Sequence, residues 1–254
     1  MIDKETPSAL DGTIDATEIE KFAAMAEEWW DTEGKFKPLH KLNPARLGFL
    51  RDRVAEHFGR DPLSPAPLSG LDLLDIGCGG GLISEPLRRL GASVTGIDAA
   101  ERNIEIARLH AEKMDLEIDY RFAAAADLVS EGRQFDAVVT LEVIEHVADI
   151  NQFVADCAAL VKPGGIMVLA TLNRTAKSFA MAIVGAEYVL RWLPRGTHDW
   201  RKFVTPSELA AACRPVGFDL AELVGLRYDP LHDRWQLDPG NVAVNYMAVV
   251  KKST

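Results

Sequence analysis

The sequence has few cysteines, no excess of positive charge and no long apolar run. Its three cysteines, at positions 78, 157 and 213 of 254 residues, are too few and too scattered for a disulfide framework or a thiolate metal site. The formal net charge of −10 argues against a nucleic-acid partner, because phosphate contacts need a basic surface. The chain lacks a run of about 18 apolar residues, and its first residues lack a signal-peptide pattern. These absences predict a globular protein of a reducing compartment, with the cytoplasm as the expected location.

Composition divides the chain into three regions. Residues 1–16 are acidic and predicted to be mobile, and residues 17–70 are predicted to form a helical cap and a proline-rich linker. The cap includes a helix at 44–58, with Asn43 as N-cap and Pro44 as its first residue. From residue 71 onwards strands alternate with helices, which predicts a mostly parallel sheet covered on both faces. The strands are predicted at 71–76, 93–97, 118–122, 135–141 and 166–172, followed by an antiparallel pair at 220–226 and 242–250.

A glycine-rich turn follows the first predicted strand. It reads Asp75-Ile76-Gly77-Cys78-Gly79-Gly80-Gly81, so glycines recur at every second position from 77 to 81. Glycine lets a backbone approach a ligand closely, because no Cβ intervenes. The spacing differs from the G-x-G-x-x-G of dinucleotide-binding loops, and Asp98 ends the second strand about 20 residues later, where a ribose hydroxyl pair is bound. The pattern favours a ribose-bearing cofactor, and a tight turn without any ligand is the alternative.

These residues resemble motif I of the class I S-adenosylmethionine-dependent methyltransferases. The resemblance implies a Rossmann-like sheet of seven strands, mostly parallel with the last strand antiparallel, and an N-terminal helical cap. It also implies that the methionine part of the cofactor passes the turn and that Asp98 binds the adenosine ribose. The expected cofactor-binding residues in this part of the chain are Asp75, Gly77, Gly79, Gly81, Asp98 and, beside the adenine, Asp127.

A second polar motif follows the fourth predicted strand. In the segment Leu141-Glu142-Val143-Ile144-Glu145-His146-Val147, residues 142, 145 and 146 share one face if a helical turn begins there. Two carboxylates and an imidazole can hold a divalent cation, and a solvated polar turn is the alternative. If no metal binds, His146 is the candidate general base, since imidazole titrates near neutrality. Glu142 and His146 are therefore the candidate catalytic residues.

Six short motifs together are similar to one narrower family, the ubiquinone biosynthesis O-methyltransferases. They are EEWWD, LNPARL, DIGCGGG, LEVIEHV, TLNRT and HDW, and the resemblance covers about residues 17–252. It implies methyl transfer from S-adenosylmethionine to a phenolic hydroxyl of two substrates, a polyprenyl catechol (3-polyprenylbenzene-1,2-diol) and demethylubiquinol. It also implies that Arg46, Gly77, Asp98 and Leu141 contact the cofactor, and that Glu142, Glu145 and His146 bind Mg²⁺. Other enzymes of ubiquinone biosynthesis are expected as partners on the same grounds.

A basic, apolar insertion at residues 174–202 separates the fifth strand from the next helix. It holds six basic residues and two acidic ones, with apolar residues at helical spacing. Such a segment suits a helix lying in a lipid interface, which predicts peripheral binding to anionic lipid at the inner face of the cytoplasmic membrane. A lid packed on the substrate site is the alternative, and both are compatible with one helix. The candidate membrane or lid residues are Phe179, Ile183, Leu190, Arg191, Trp192 and Arg195.

Three rival functions remain from the sequence. One is a methyltransferase of another small molecule, since the fold does not define the acceptor. Another is an NAD-linked oxidoreductase, which the glycine spacing disfavours. The third is a membrane-associated scaffold without enzymatic activity.

Overall fold

The computed structural model describes residues 29–34, 36–181 and 199–253. The acidic N-terminal region and the insertion residues Ile183, Leu190, Arg191, Trp192 and Arg195 lie outside the described residues. The strands are β1 Asp72–Ile76, β2 Ser93–Asp98, β3 Asp119–Phe122, β4 Phe135–Leu141, β5 Val161–Leu172, β6 Phe218–Asp229, β7 Arg234–Asp238 and β8 Asn245–Lys252. The helices are α1 Lys37–His57, α2 Ser84–Arg89, α3 Glu101–Lys113, α4 Ala125–Ser130, α5 Ile150–Leu160, α6 Ala176–Ser178 and α7 Pro206–Cys213.

The strands form one sheet in the order β3-β2-β1-β4-β5-β8-β6-β7. Strands β1 to β5 run parallel, and β8 pairs antiparallel with β5, so the expected mostly parallel sheet and its antiparallel last strand are confirmed. The expected number of seven strands is wrong, because β7 forms an eighth strand as a hairpin with β6. Strand β7 lies at the sheet edge, and its sequence, RWQLD, has only two apolar residues. It therefore lacks the apolar run from which a strand is predicted.

Helix α1 begins earlier than the sequence predicted. It starts at Lys37, with Pro38 in its first turn, and Pro44 lies inside the helix on its exposed side. Proline needs no helical N–H partner in the first turn, so Pro38 takes the role expected of Pro44. The predicted N-cap, Asn43, is buried within the helix instead. The helix ends at His57, within one residue of the predicted end at 58, and it buries Phe49.

Two apolar layers cover the sheet, as expected. On one face, residues of α1 and α2 such as Phe49, Leu50 and Leu87 share one buried apolar cluster with residues of β1 and β4. On the other face α5 and α7 pack through Phe153 and Leu209. The part of the chain that the structure describes contains no helix long and apolar enough to cross a membrane.

The parallel strands bring three predicted site segments to one edge. Strand β1 pairs with β2 on one side and with β4 on the other, so the sheet reverses its order there. Open α/β sheets bind ligands at the carboxyl ends of such strands. The glycine turn follows β1, Asp98 ends β2, and Glu142 follows β4. A candidate site therefore lies at this reversal.

Candidate active site

Asp75 is a buried structural link within the glycine turn. Its Oδ2 accepts a hydrogen bond of 2.6 Å from the Ser84 hydroxyl, which ties the end of β1 to α2. Burial, with a smaller contribution from the nearby Asp98, raises the pKa of the Asp75 carboxyl to about 7. With only 2% of its surface exposed, Asp75 serves the shape of the turn rather than presenting a carboxylate to solvent.

The glycines at both ends of the turn face other parts of the protein. Gly77 and Gly81 both have positive φ angles, of 74° and 90°. A Cβ at Gly77 would overlap the side chain of Val143, and a Cβ at Gly81 would overlap the hydroxyl of Tyr120. These glycines are therefore required by local packing and backbone conformation, in addition to any approach of a ligand. Gly77 is exposed at the sheet edge, and Gly79 is buried.

Asp98 is held in one orientation by three donors. Its Oδ2 accepts the backbone N–H of Gly79 at 2.9 Å, and its Oδ1 accepts the backbone N–H of Ala100 at 2.8 Å and the Asn103 amide at 3.0 Å. Burial raises the pKa of this carboxyl, although the three donors act in the opposite direction. A half-buried carboxylate oriented in this way is suited to accept hydrogen bonds from a diol such as ribose.

Glu142 is paired with a buried arginine from helix α1. The Arg46 guanidinium donates to Glu142 Oε1, and the side chains are 4% and 24% exposed. Glu142 has a φ of 56°, and the following 3₁₀ turn spans Ile144–His146. The expected helical face shared by Glu142, Glu145 and His146 is therefore wrong, since residue 142 adopts a left-handed conformation. Leu141, half-buried, ends β4 beside this pair.

Glu145 points into the protein. The Thr171 hydroxyl donates to Glu145 Oε2 at 2.8 Å, and only 2% of Glu145 is exposed. Burial, together with the nearby Glu142, raises the pKa of the Glu145 carboxyl well above its usual range. His146 is half-buried, and its backbone N–H donates to the Val143 carbonyl at 2.8 Å.

The arrangement does not fit the expected magnesium site. Within residues 29–34, 36–181 and 199–253, no three His, Cys, Asp or Glu side chains are grouped so that they could hold a metal ion. Arg46 already neutralises Glu142, and Glu145 is buried against Thr171. The donor types are suitable for a divalent cation, but the structure does not gather them around one point.

Two other predicted residues, Asp127 and Phe179, make local contacts. Asp127 belongs to helix α4, which was not predicted, and its Oδ2 accepts the Ala124 backbone N–H at 2.8 Å. Phe179 is 46% exposed at the start of the insertion and packs edge-to-face on Trp200, with ring centroids 6.1 Å apart. The exposed apolar surface continues to Met181, which is 55% exposed.

The structure adds four residues to the site that had no predicted role. Trp29 lies against the glycine turn, and Trp30 donates to the Gly80 carbonyl at 2.7 Å. Asn103 orients Asp98, and Thr171 binds Glu145. The two tryptophans belong to the motif EEWWD and Thr171 to the motif TLNRT. These motifs supported the family resemblance but did not indicate which residues the side chains contact. The only sequence signal for Asn103 was its position in the first turn of helix α3, shortly after Asp98.

Comparisons with known proteins identify the family of this chain. A family model described as a methyltransferase domain matches residues 46–223. A ubiquinone biosynthesis O-methyltransferase of Dinoroseobacter shibae is 56% identical over 235 residues, which are 92% of this chain and 95% of that protein. A protein of the same name from a Chelativorans species is 54% identical over 98% of both chains. The chain belongs to the ubiquinone biosynthesis O-methyltransferase family. This confirms the resemblance seen in the six motifs.

Solved structures at lower identity share the fold of this ubiquinone biosynthesis O-methyltransferase family member. Magnesium protoporphyrin IX methyltransferase from Synechocystis, solved with bound S-adenosylhomocysteine, has a TM-score of 0.58 at 18% identity and covers 91% of this chain and 99% of its own. An S-adenosylmethionine-dependent methyltransferase from Clostridium acetobutylicum has a TM-score of 0.60 at 12% identity, covering 92% and 99%. The expected class I methyltransferase fold is confirmed.

Proposed function

We propose that this chain transfers a methyl group from S-adenosylmethionine to a phenolic hydroxyl of polyprenylated ubiquinone precursors, namely a polyprenyl catechol and demethylubiquinol. The observation that carries the proposal is the Asp98 carboxylate, fixed by three N–H donors beside the glycine turn where the sheet order reverses. The relatives named for ubiquinone biosynthesis support the choice of acceptor.

The proposed cofactor contacts lie on three neighbouring strand ends and on helix α1. Asp98 accepts the ribose hydroxyls, while the exposed Gly77 lets the methionine part pass close to the backbone. Arg46 and Leu141 close the side next to β4. The cofactor supplies an electrophilic methyl group on a cationic sulfur, and the protein holds that methyl in line with the acceptor oxygen.

The acceptor must lose its proton during the transfer. A phenol has a pKa of about 10 and is mostly protonated at neutral pH. In the proposed reaction the phenolic oxygen forms the new bond to the methyl carbon, the bond from that carbon to sulfur breaks, and the proton passes to the imidazole of His146. Glu142, held by Arg46, keeps the turn that carries His146 in place. S-adenosylhomocysteine and the methyl ether are the products.

The decisive assay uses a short-chain catechol analogue and S-adenosylmethionine. We expect methyl ether formation by the wild-type chain, binding of S-adenosylhomocysteine in calorimetry and no binding of NADH. Asp98→Asn should weaken S-adenosylhomocysteine binding, whereas His146→Gln should lower kcat with little effect on that binding. Saturable binding of NADH without S-adenosylhomocysteine binding would favour an oxidoreductase, and unchanged function in both variants would favour a scaffold.

The metal requires its own measurement. Because Arg46 neutralises Glu142 and Glu145 is buried, we assign no step to Mg²⁺. We expect titration of magnesium chloride into the cofactor-free chain to give no saturable heat. Saturable binding that Glu142→Gln abolishes would show that the ion pair opens to admit a metal, and magnesium-dependent turnover would then return the metal to the mechanism.

A second proposal concerns lipid. The exposed Phe179 and Met181 begin a basic, apolar insertion, which supports peripheral binding to an anionic membrane surface where a polyprenyl substrate resides. Wild-type protein should float with anionic liposomes, and Phe179→Ser with Met181→Ser should reduce flotation. Leu231→Ser is the control, since Leu231 is 90% exposed on the β6–β7 hairpin. Equal flotation of all variants would contradict this assignment.

A further inference from the structure

The segment of residues 29–34, which we name the strap, lies against the glycine turn. A Cβ at Gly79 would come within 2.5 Å of Trp29 Cη2, and a Cβ at Gly80 would come within 2.6 Å of Trp29 Cβ. Two consecutive glycines of the cofactor turn are thus in close contact with one indole. An alanine at either position would displace that indole, so the absence of a Cβ at both positions leaves the space that the indole occupies.

The strap is also bonded to the residues that orient Asp98. Trp29 Nε1 donates to Asn103 Oδ1 at 3.2 Å, and the Asn103 amide donates to Asp98 Oδ1 at 3.0 Å. Asn103 is buried, with a relative exposure of 2%. One buried amide therefore joins the Trp29 indole to the carboxylate proposed to bind ribose.

Contacts with two helices and with the glycine turn hold the strap in position. The Trp29 ring stacks on Phe36 with centroids 4.0 Å apart, and His40 Nε2 lies 2.9 Å from the Trp29 carbonyl oxygen. Trp30 stacks on His110 of α3 at 3.5 Å, while its Nε1 donates to the Gly80 carbonyl. The strap therefore connects α1, the glycine turn and α3.

We propose that Trp29 is a cofactor-positioning residue, which closes the outer side of the S-adenosylmethionine site through its contacts with Gly79, Gly80 and Asn103. The proposal rests on the assigned cofactor. Seating of the indole holds the turn and Asp98 in the geometry that binds the cofactor, and bound cofactor in turn stabilises the seated strap, because coupling between two binding events is reciprocal. Trp30 anchors the strap through the Gly80 carbonyl and the His110 ring.

The proposal is tested by calorimetric titration of S-adenosylhomocysteine into wild-type, Trp29→Ala, Trp29→Phe and Trp235→Phe proteins. Trp235 lies on β7 and packs with Tyr228, with ring centroids 5.6 Å apart, so its variant is the matched control. We expect Trp29→Ala to weaken binding at least tenfold. Trp29→Phe keeps an aromatic ring but loses the indole N–H, and we expect a loss of a few-fold, whereas Trp235→Phe should bind as the wild type does.

Intrinsic fluorescence provides a second readout that a general loss of stability would not reproduce. Addition of S-adenosylhomocysteine should change the emission of wild-type and Trp235→Phe proteins, and most of that change should be absent in Trp29→Phe. Unchanged affinity in both Trp29 variants, or tighter binding in Trp29→Ala, would overturn the proposal, the latter by showing that the indole blocks the site. If Trp29→Ala does not fold, the affinity and emission of Trp29→Phe decide. A wild-type chain that binds no S-adenosylhomocysteine would instead refute the proposed function itself, and this inference with it.

Discussion

Replacing Glu142 with glutamine removes the negative charge that faces the buried Arg46 guanidinium. Arg46 is 4% exposed and Glu142 is 24% exposed, so the pair is shielded from water mainly on the arginine side. Two unit charges about 4 Å apart attract each other by ~4 kcal/mol at an effective dielectric constant of 20. Breaking a buried pair by removing one partner typically costs about 3–5 kcal/mol, because the remaining charge stays desolvated.

Two features reduce the expected loss. The glutamine carbonyl can still accept one hydrogen bond from Arg46, and the partial exposure of residue 142 admits some water. We therefore expect Glu142→Gln to lower the free energy of unfolding by about 2–3 kcal/mol. For a chain of this length that corresponds to a fall in melting temperature of ~4–12 °C. Arg46→Met combined with Glu142→Gln should recover part of the loss, since neither charge is then left alone.

The assay is urea unfolding at pH 7.5 in the presence of a chelator, so that no metal contributes. Glu222→Gln is a matched control, because Glu222 pairs with Arg53 in an ion pair whose side chains are 36% and 31% exposed. Such exposed pairs contribute about 0–1 kcal/mol. If Glu142→Gln and Glu222→Gln destabilise the protein equally, the argument that the Arg46 pair is a strong buried contact is refuted.

Three further predictions concern the core of the site. The folded-state pKa of the Asp75 carboxyl is raised to about 7, so this group stabilises the fold at acidic pH and loses that contribution as the pH rises from about 4 to 7. In chemical denaturation across this range, the free energy of unfolding of Asp75→Asn should decline less than that of the wild type, with a difference of up to ~4 kcal/mol. Parallel curves of unfolding free energy against pH would contradict this. Gly81→Ala should lower the free energy of unfolding by more than about 2 kcal/mol, because φ is 90° and the new Cβ overlaps Tyr120. Gly132→Ala is the control and should lower it less, since Gly132 has a φ of 69° but no neighbour within 4 Å of its new Cβ. Equal losses in the two variants would refute the steric argument. Thr171→Val should cost ~1–2 kcal/mol in thermal unfolding because Glu145 loses its donor, and a neutral effect would show that another group satisfies it.

Local patterns were sufficient for most of the sheet. Strand β4 was predicted with its observed bounds, because an apolar run between a charged turn and a polar motif leaves little choice of ends. Helix α7 begins directly after Thr205, which forms a capping box with Glu208. Helix α4 and strand β7 were missed, since one is six residues long and the other is a half-exposed edge hairpin. Short elements depend on tertiary contacts more than on periodicity.

The site shows the same division. The sequence by itself determined that the glycine turn, Asp98 and the Glu142 segment meet at one sheet edge, because strand alternation dictates which ends of parallel strands are neighbours. It could not determine that Arg46 neutralises Glu142, that Glu145 turns inward to Thr171, or that Trp29 lies on Gly79 and Gly80. Those contacts join residues 26 to 96 positions apart, or depend on a left-handed backbone at residue 142. Only the tertiary structure decides them, since charge pairing and burial depend on which distant segments pack together.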